Sequence, residues 1–109
     1  MVLLTMRVHI VAEKRREFLQ NADSVINELK NASGCVRCDF YQEYKNEDIF
    51  CFVQEWKSRR ILDEYLRSKD FGTLVGAAKV LSERAEIKVA ITSGNLETIN
   101  KLREKGLSN

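Results

Sequence analysis

The hydrophobic pattern of this chain switches repeatedly between a period of two and a period of three to four, and the order of the switches leaves few folds open. Residues 2–11 alternate, with Leu4, Met6, Val8 and Ile10 on one face and Thr5, Arg7 and His9 on the other, as in a strand. From Glu13 to Lys30 the apolar residues Phe18, Leu19, Ala22, Val25, Ile26 and Leu29 fall on one helical stripe, and Gly34 ends that segment. Cys35–Tyr44 and Ile49–Trp56 are two β-rich runs, and the polar Lys45–Asp48 between them suits a hairpin loop. Ser58 is placed to cap a helix carrying Ile61, Leu62, Tyr65 and Leu66, and Ser68 to cap a further one through Phe71, Leu74, Val75 and Ala78. Ile87, Val89 and Ile91 alternate as a last strand, and Asn95 caps a short helix with Leu96, Ile99 and Leu102 on one stripe.

The order is β-α-β-β-α-β, which predicts an α+β, ferredoxin-like subunit with a four-stranded antiparallel sheet over residues 1–93 and a C-terminal helical extension over 94–109. A length of 109 residues suits one core. In the third strand Phe50, Phe52 and Trp56 occupy one face while Ile49, Cys51 and Val53 occupy the other. Two helices cover only one face of such a sheet, so a second copy is expected on the other, making a homodimer.

Charge and rare residues narrow the chemistry. With 18 Lys plus Arg against 16 Asp plus Glu, the net charge is +2, too small for a nucleic-acid binder of this size. Lys14-Arg15-Arg16 and Lys57–Arg60 are interleaved with acids, as on solvated helix faces. No apolar run approaches the roughly 20 residues of a membrane span, and the first residues do not read as a signal peptide. Cys35, Cys38 and Cys51 are an odd number of cysteines, which suits a reducing, cytoplasmic setting. Cys35-Val36-Arg37-Cys38 has the C-x-x-C spacing, but side chains three apart in a strand point to opposite faces, so neither a zinc site nor a redox pair is expected. His9 is the only histidine, which rules out a two-histidine metal site within one chain. Gly72–Gly76 lacks the Lys-Ser/Thr ending of a phosphate loop, and no dinucleotide fingerprint is present, so no bound metal, flavin or nicotinamide is expected.

Trp56 ends the third strand either as a core residue or, with Phe40, Phe52, Tyr65 and Phe71, as part of a pocket between sheet and helices for a flat organic ligand. Tyr65 lies on the apolar stripe of its helix, so its hydroxyl is the expected polar anchor.

Gly34-Cys35, Asp39-Phe40-Tyr41-Gln42, Asn46-Glu47-Asp48, Phe50, Glu55-Trp56, Ser58, Leu62, Ser68 and Phe71, in that order and spacing, resemble the antibiotic biosynthesis monooxygenase family over residues 2–92. The resemblance implies a dimeric α+β barrel. It also implies a monooxygenase that oxidises an aromatic or quinol-type small molecule with O2 and needs no metal or flavin. The family's helix histidine is Tyr65 here, a second histidine often present near the following Ser-x-x-Phe is Asp70, and Thr73–Ala77 lacks the axial histidine of the haem-degrading branch. The resemblance then leaves Tyr65 and His9 as the candidate catalytic groups, with Trp56, Phe40, Phe52, Phe71 and Arg7 as candidate substrate contacts. The alternatives are a dimeric module that binds a hydrophobic aromatic without turnover, and an isomerase using Arg7 and Arg37 as anchors for a phosphorylated substrate.

Overall fold

A computed structural model describes residues 1–91. The expected C-terminal helix, within residues 94–109, lies outside them. The elements are β1 (Val2–Ile10), a 3-10 turn (Ala12–Lys14), α1 (Arg15–Lys30), β2 (Cys35–Glu43), β3 (Asn46–Trp56), α2 (Arg59–Leu66), α3 (Lys69–Leu81) and β4 (Ser82–Ile91). The four strands form one antiparallel sheet in the order β2-β3-β1-β4. This is the α+β, ferredoxin-like architecture that the period switches predict.

Register explains which face is core. Val2 pairs with Trp56, Leu4 with Gln54, Met6 with Phe52 and Val8 with Phe50. Because side chains alternate along a strand, these residues share one face. The helices cover it, and Val2, Leu4, Met6, Val8, Phe50, Phe52 and Trp56 pack there with Phe18, Ala22, Leu29, Leu62 and Leu74. Both serine caps form: Ser58 Oγ accepts from the Ile61 amide at 3.2 Å and Ser68 Oγ from the Phe71 amide at 3.1 Å.

Three boundaries differ from the sequence reading. The β2–β3 turn is two residues, Tyr44 and Lys45, since Glu43 already pairs with Asn46. Of the polar Asn46–Asp48, Asn46 pairs with Glu43, while Glu47 and Asp48 fall in the register shift that follows, where the Asn46 side chain accepts from the Asp48 amide at 3.0 Å. β4 begins at Ser82, five residues before its first alternating apolar side chain, because Ser82–Glu86 pair along β1 whatever their polarity.

The Cys35–Cys38 expectation is corrected outright. Cys35 lies opposite Trp56, Arg37 opposite Glu55 and Cys38 opposite Gln54, so Val36 is an extra residue in a β-bulge. The bulge restores Cys35 and Cys38 to the same, helix-covered face. Burial pushes both thiols up, Cys38 to about 11, with Cys35 adding to the rise at Cys38. They are therefore protonated and poorly nucleophilic at neutral pH.

Gly34 sets the join between α1 and β2. Its φ is +91°, and a Cβ there would lie 2.5 Å from Ile61 Cγ2, so this position requires glycine on two counts.

The uncovered sheet face is less apolar than the β3 alternation suggests. Ile49, Cys51 and Val53 form a strip with Leu3 and Thr5, but it is flanked by the ion pairs Arg7–Glu43 at 2.9 Å, Lys88–Glu86 at 3.3 Å and Arg37–Asp39. No described helix is long and apolar enough to cross a membrane.

Candidate functional site

A cavity of about 260 Å³ opens where the C-terminal end of α1, the α2 helix and the start of α3 meet the end of β3. Val25 and Leu29 of α1 and Ile61 of α2 form its apolar walls, and the buried rings of Trp56 and Tyr65 form its floor. The exposed side chains of Glu28, Glu64 and Asp70 stand at its rim.

Local sequence places each wall. The Ser58 cap fixes where α2 begins, and the helical spacing then puts Leu62 and Tyr65 on its buried side. The strand period puts Trp56 on the covered face, and its indole stacks on Tyr65 with ring centroids 4.8 Å apart at 27°. Phe71, positioned by the Ser68 cap, meets the other side of Tyr65 edge-on at 5.3 Å and 62°. Trp56 is thus both a core residue and a cavity wall.

Gln54 lies beneath this floor, and its amide faces the Tyr65 hydroxyl. Gln54 is fully buried, and its Oε1 accepts the Trp56 indole N–H at 3.0 Å. Among the described residues its Nε2 and the Tyr65 hydroxyl, on a residue only 8% exposed, have no partner but each other, and the two do not meet in a well-formed hydrogen bond. A buried polar group without a partner costs about 1–3 kcal/mol. Evolved cores rarely retain two such groups side by side, and ligand-binding sites are where they are retained. Burial pushes the Tyr65 pKa up to about 12; the Gln54 amide works against that rise, while Cys38, Cys35 and Asp70 add to it. At neutral pH Tyr65 is therefore a neutral phenol, able to donate a hydrogen bond but unsuited to accept a proton.

The structure divides the residues singled out in the sequence. Trp56 and Tyr65 line the cavity together, and Phe71 packs against Tyr65 without lining it. Phe40 and Phe52 do not line the cavity; they pack against each other at 4.6 Å in a separate cluster with Phe18 and Phe50 under α1. His9 and Arg7 are on the opposite face of the sheet, so neither reaches the cavity: odd positions of β1 point away from the helices. There His9 Nε2 accepts from Arg7 at 3.1 Å and from Arg84 at 3.0 Å, in a separate depression. Arg37 lies on that face too. Among the described residues no group of three or more His, Cys, Asp or Glu is arranged to hold a metal.

Glu28, Asp70 and Gln54 were not among the sequence candidates. Gln54 had a legible signal: a polar residue at the even, core-facing position between Phe52 and Trp56 must be buried. Asp70 was marked only as standing where the family often has a histidine, and Glu28 had no signal, because the two line one cavity only when α1 and α3 pack.

Comparison with known proteins bears on this geometry. The family model "Antibiotic biosynthesis monooxygenase" matches residues 1–77. A Bacillus subtilis protein named "Putative monooxygenase YcnE" is 25% identical over 81 residues, covering 74% of this chain and 85% of that protein. The "Uncharacterized protein sll1783" of Synechocystis is 24% identical over 89 residues, 81% of this chain, which spans only 60% of that protein's length. The crystal structure of a conserved protein from Methanosarcina mazei superposes with a TM-score of 0.77 at 27% identity, covering 82% of this chain and 89% of that one.

Proposed function

The chain belongs to the antibiotic biosynthesis monooxygenase family, and from that premise we propose that it oxidises an electron-rich aromatic of phenol or quinol type with O2 in the Trp56–Tyr65 cavity. The observation that carries this reading is the buried Tyr65 hydroxyl, which makes no well-formed hydrogen bond among the described residues, in the floor of an aromatic-walled cavity. An apolar cavity of about 150 Å³ holds one benzene ring. A volume of about 260 Å³ therefore suits one or two rings within its walls.

The reaction needs no cofactor in this reading, because the substrate supplies the electrons. For a phenol, one ring C–H and the phenolic O–H are both replaced by C=O. Four electrons pass to O2, one of whose oxygen atoms remains in the quinone while the other leaves as water. The chain has three tasks. Trp56 and the apolar walls hold the ring flat and keep water from it. The neutral Tyr65 hydroxyl donates to the substrate oxygen as negative charge develops there, which gives the floor's orphan donor its partner. The rim carboxylates Glu28 and Asp70 are the proton acceptors, in place of the family's histidine.

The test is O2 consumption by the purified protein with a panel of one- and two-ring hydroquinones and naphthols. Uptake that falls at least tenfold in Tyr65→Phe supports the reading, and equal rates in wild type and variant oppose it.

The same reading includes a homodimer, in which the strip of Ile49, Cys51, Val53 and Leu3 is covered by its counterpart and the three free thiols suit a reducing cytoplasm. Sedimentation as a monomer at micromolar concentration contradicts it. Binding without turnover is a second reading, favoured by the lack of a histidine on the cavity. It predicts saturable quenching of Trp56 fluorescence and no product.

A further inference from the structure

The Trp56–Tyr65 cavity is charged on one side only. Glu28, Glu64 and Asp70 are on its rim, and among the described residues no lysine, arginine or histidine lines it. Arg60 pairs with Glu64 at 3.0 Å, which leaves two carboxylates, Glu28 and Asp70, with no ion-pair partner among the described residues. Asp70 has a local reason to be there, since it occupies the first turn of α3, where the positive end of a helix favours an anion. Glu28 has none. It lies near the C-terminal end of α1, where free carbonyls make the negative pole and disfavour a carboxylate. Helix stability alone does not account for it.

The arrangement also leaves the negative charge of a phenol substrate uncompensated once its proton has left. A phenol must lose its proton before it passes electrons to O2, and two uncompensated carboxylates on the same cavity work against the phenolate. A substrate that brings its own positive charge removes the conflict. Its cation lies against Glu28 and Asp70 at the rim, while its ring lies against Trp56 and Tyr65 at the floor.

We infer that the cavity takes an aromatic amine in its protonated form: a phenol or quinol ring carrying an alkylammonium group. This rests on the cavity being the substrate site, and it specifies the charge that the monooxygenase reading leaves open. A cavity of about 260 Å³ accommodates one such ring with a two-carbon arm.

Three probes with the same ring separate charge from shape: 2,5-dihydroxyphenethylammonium, 2-(2,5-dihydroxyphenyl)ethanol and 2,5-dihydroxyphenylacetate. Anaerobic calorimetry at low salt measures binding without oxidation. The expected order is ammonium, then alcohol, then carboxylate, with the ammonium at least about tenfold tighter than the carboxylate and the gap shrinking as salt is added. In the double variant Glu28→Gln/Asp70→Asn the gap closes to within about twofold. Both side chains are exposed, so this variant is expected to fold, and circular dichroism checks that it does. Equal or tighter binding of the carboxylate, or a gap that survives in the double variant, overturns the inference. The two readings fail separately. Charge selectivity without O2 uptake leaves this inference standing and removes the monooxygenase. O2 uptake at equal rates on ammonium and carboxylate does the reverse. Failure of all three probes to bind overturns both.

Discussion

Trp56 donates its indole N–H to the Gln54 side-chain oxygen at 3.0 Å on the helix-covered face of β3, and that bond commits one end of the Gln54 amide while the other end faces the Tyr65 hydroxyl without a well-formed hydrogen bond. Gln54 thus holds the cavity floor in place from beneath. Gln54→Ala removes the acceptor and leaves both a void and an unsatisfied indole N–H. The expected loss is about 2–4 kcal/mol in urea unfolding, with a shift in the emission of the single tryptophan.

Tyr65 behaves differently, because among the described residues its buried hydroxyl meets only the Gln54 amide, and not in a well-formed hydrogen bond. Tyr65→Phe removes an unsatisfied group while keeping the ring stacked on Trp56. The variant is expected to be as stable as wild type or more stable by up to about 1 kcal/mol, while losing activity. Paired unfolding and O2-uptake measurements check this; loss of stability and activity together makes the hydroxyl a structural group.

Alkaline titration reads the same residue. Its folded pKa is raised to about 12 from an ordinary value of 10.0, chiefly by burial. Below pH 10 the phenol is neutral in both folded and unfolded chains, so it contributes no pH dependence there. Above pH 10 the unfolded chain loses this proton first, so stability falls as pH rises from 10 toward 12. Cys38, raised from 9.0 to about 11, adds a fall of the same sign that begins near pH 9. Tyr65→Phe removes the last phenolate absorbance step, near pH 12, and flattens the upper part of the stability curve.

Gly34→Ala tests the α1–β2 join. A methyl group at φ +91° is strained and meets Ile61 at 2.5 Å. The expected cost is about 2–3 kcal/mol by thermal or urea unfolding. Ile61→Val is expected to recover part of it, since truncation removes one of the methyls near the added Cβ. Complete recovery would leave the backbone conformation with no share in the cost.

Much of the fold is legible in the sequence because it rests on local rules. The alternation of Leu4, Met6, Val8 and Ile10, the stripe Phe18-Ala22-Val25-Leu29 and the caps Ser58 and Ser68 each specify their element without help from distant residues. Where tertiary pairing decides, the sequence is silent or misleading. Ser82–Glu86 have no strand pattern of their own and become strand by pairing with β1. The bulge at Val36 follows from β2 fitting against β3, and it reverses the facing of Cys35 relative to Cys38. The site divides in the same way. Trp56, Tyr65 and Phe71 are predictable from period and caps, whereas His9 and Arg7 were attractive for their chemistry although their strand parity already placed them opposite Trp56's face. The rim pair of Glu28 and Asp70 depends on how α1 meets α3, which no short-range pattern encodes.

Oxidation under 18O2 tests the central claim most directly. Purified wild-type protein, Tyr65→Phe and Trp56→Leu are incubated with a one-ring quinol bearing an ammonium arm, and the product is weighed by mass spectrometry. The account predicts wild-type product carrying one 18O atom, one O2 consumed per product formed, and rates at least tenfold lower in both variants. Product free of 18O, or labelled product formed equally by all three proteins, contradicts it.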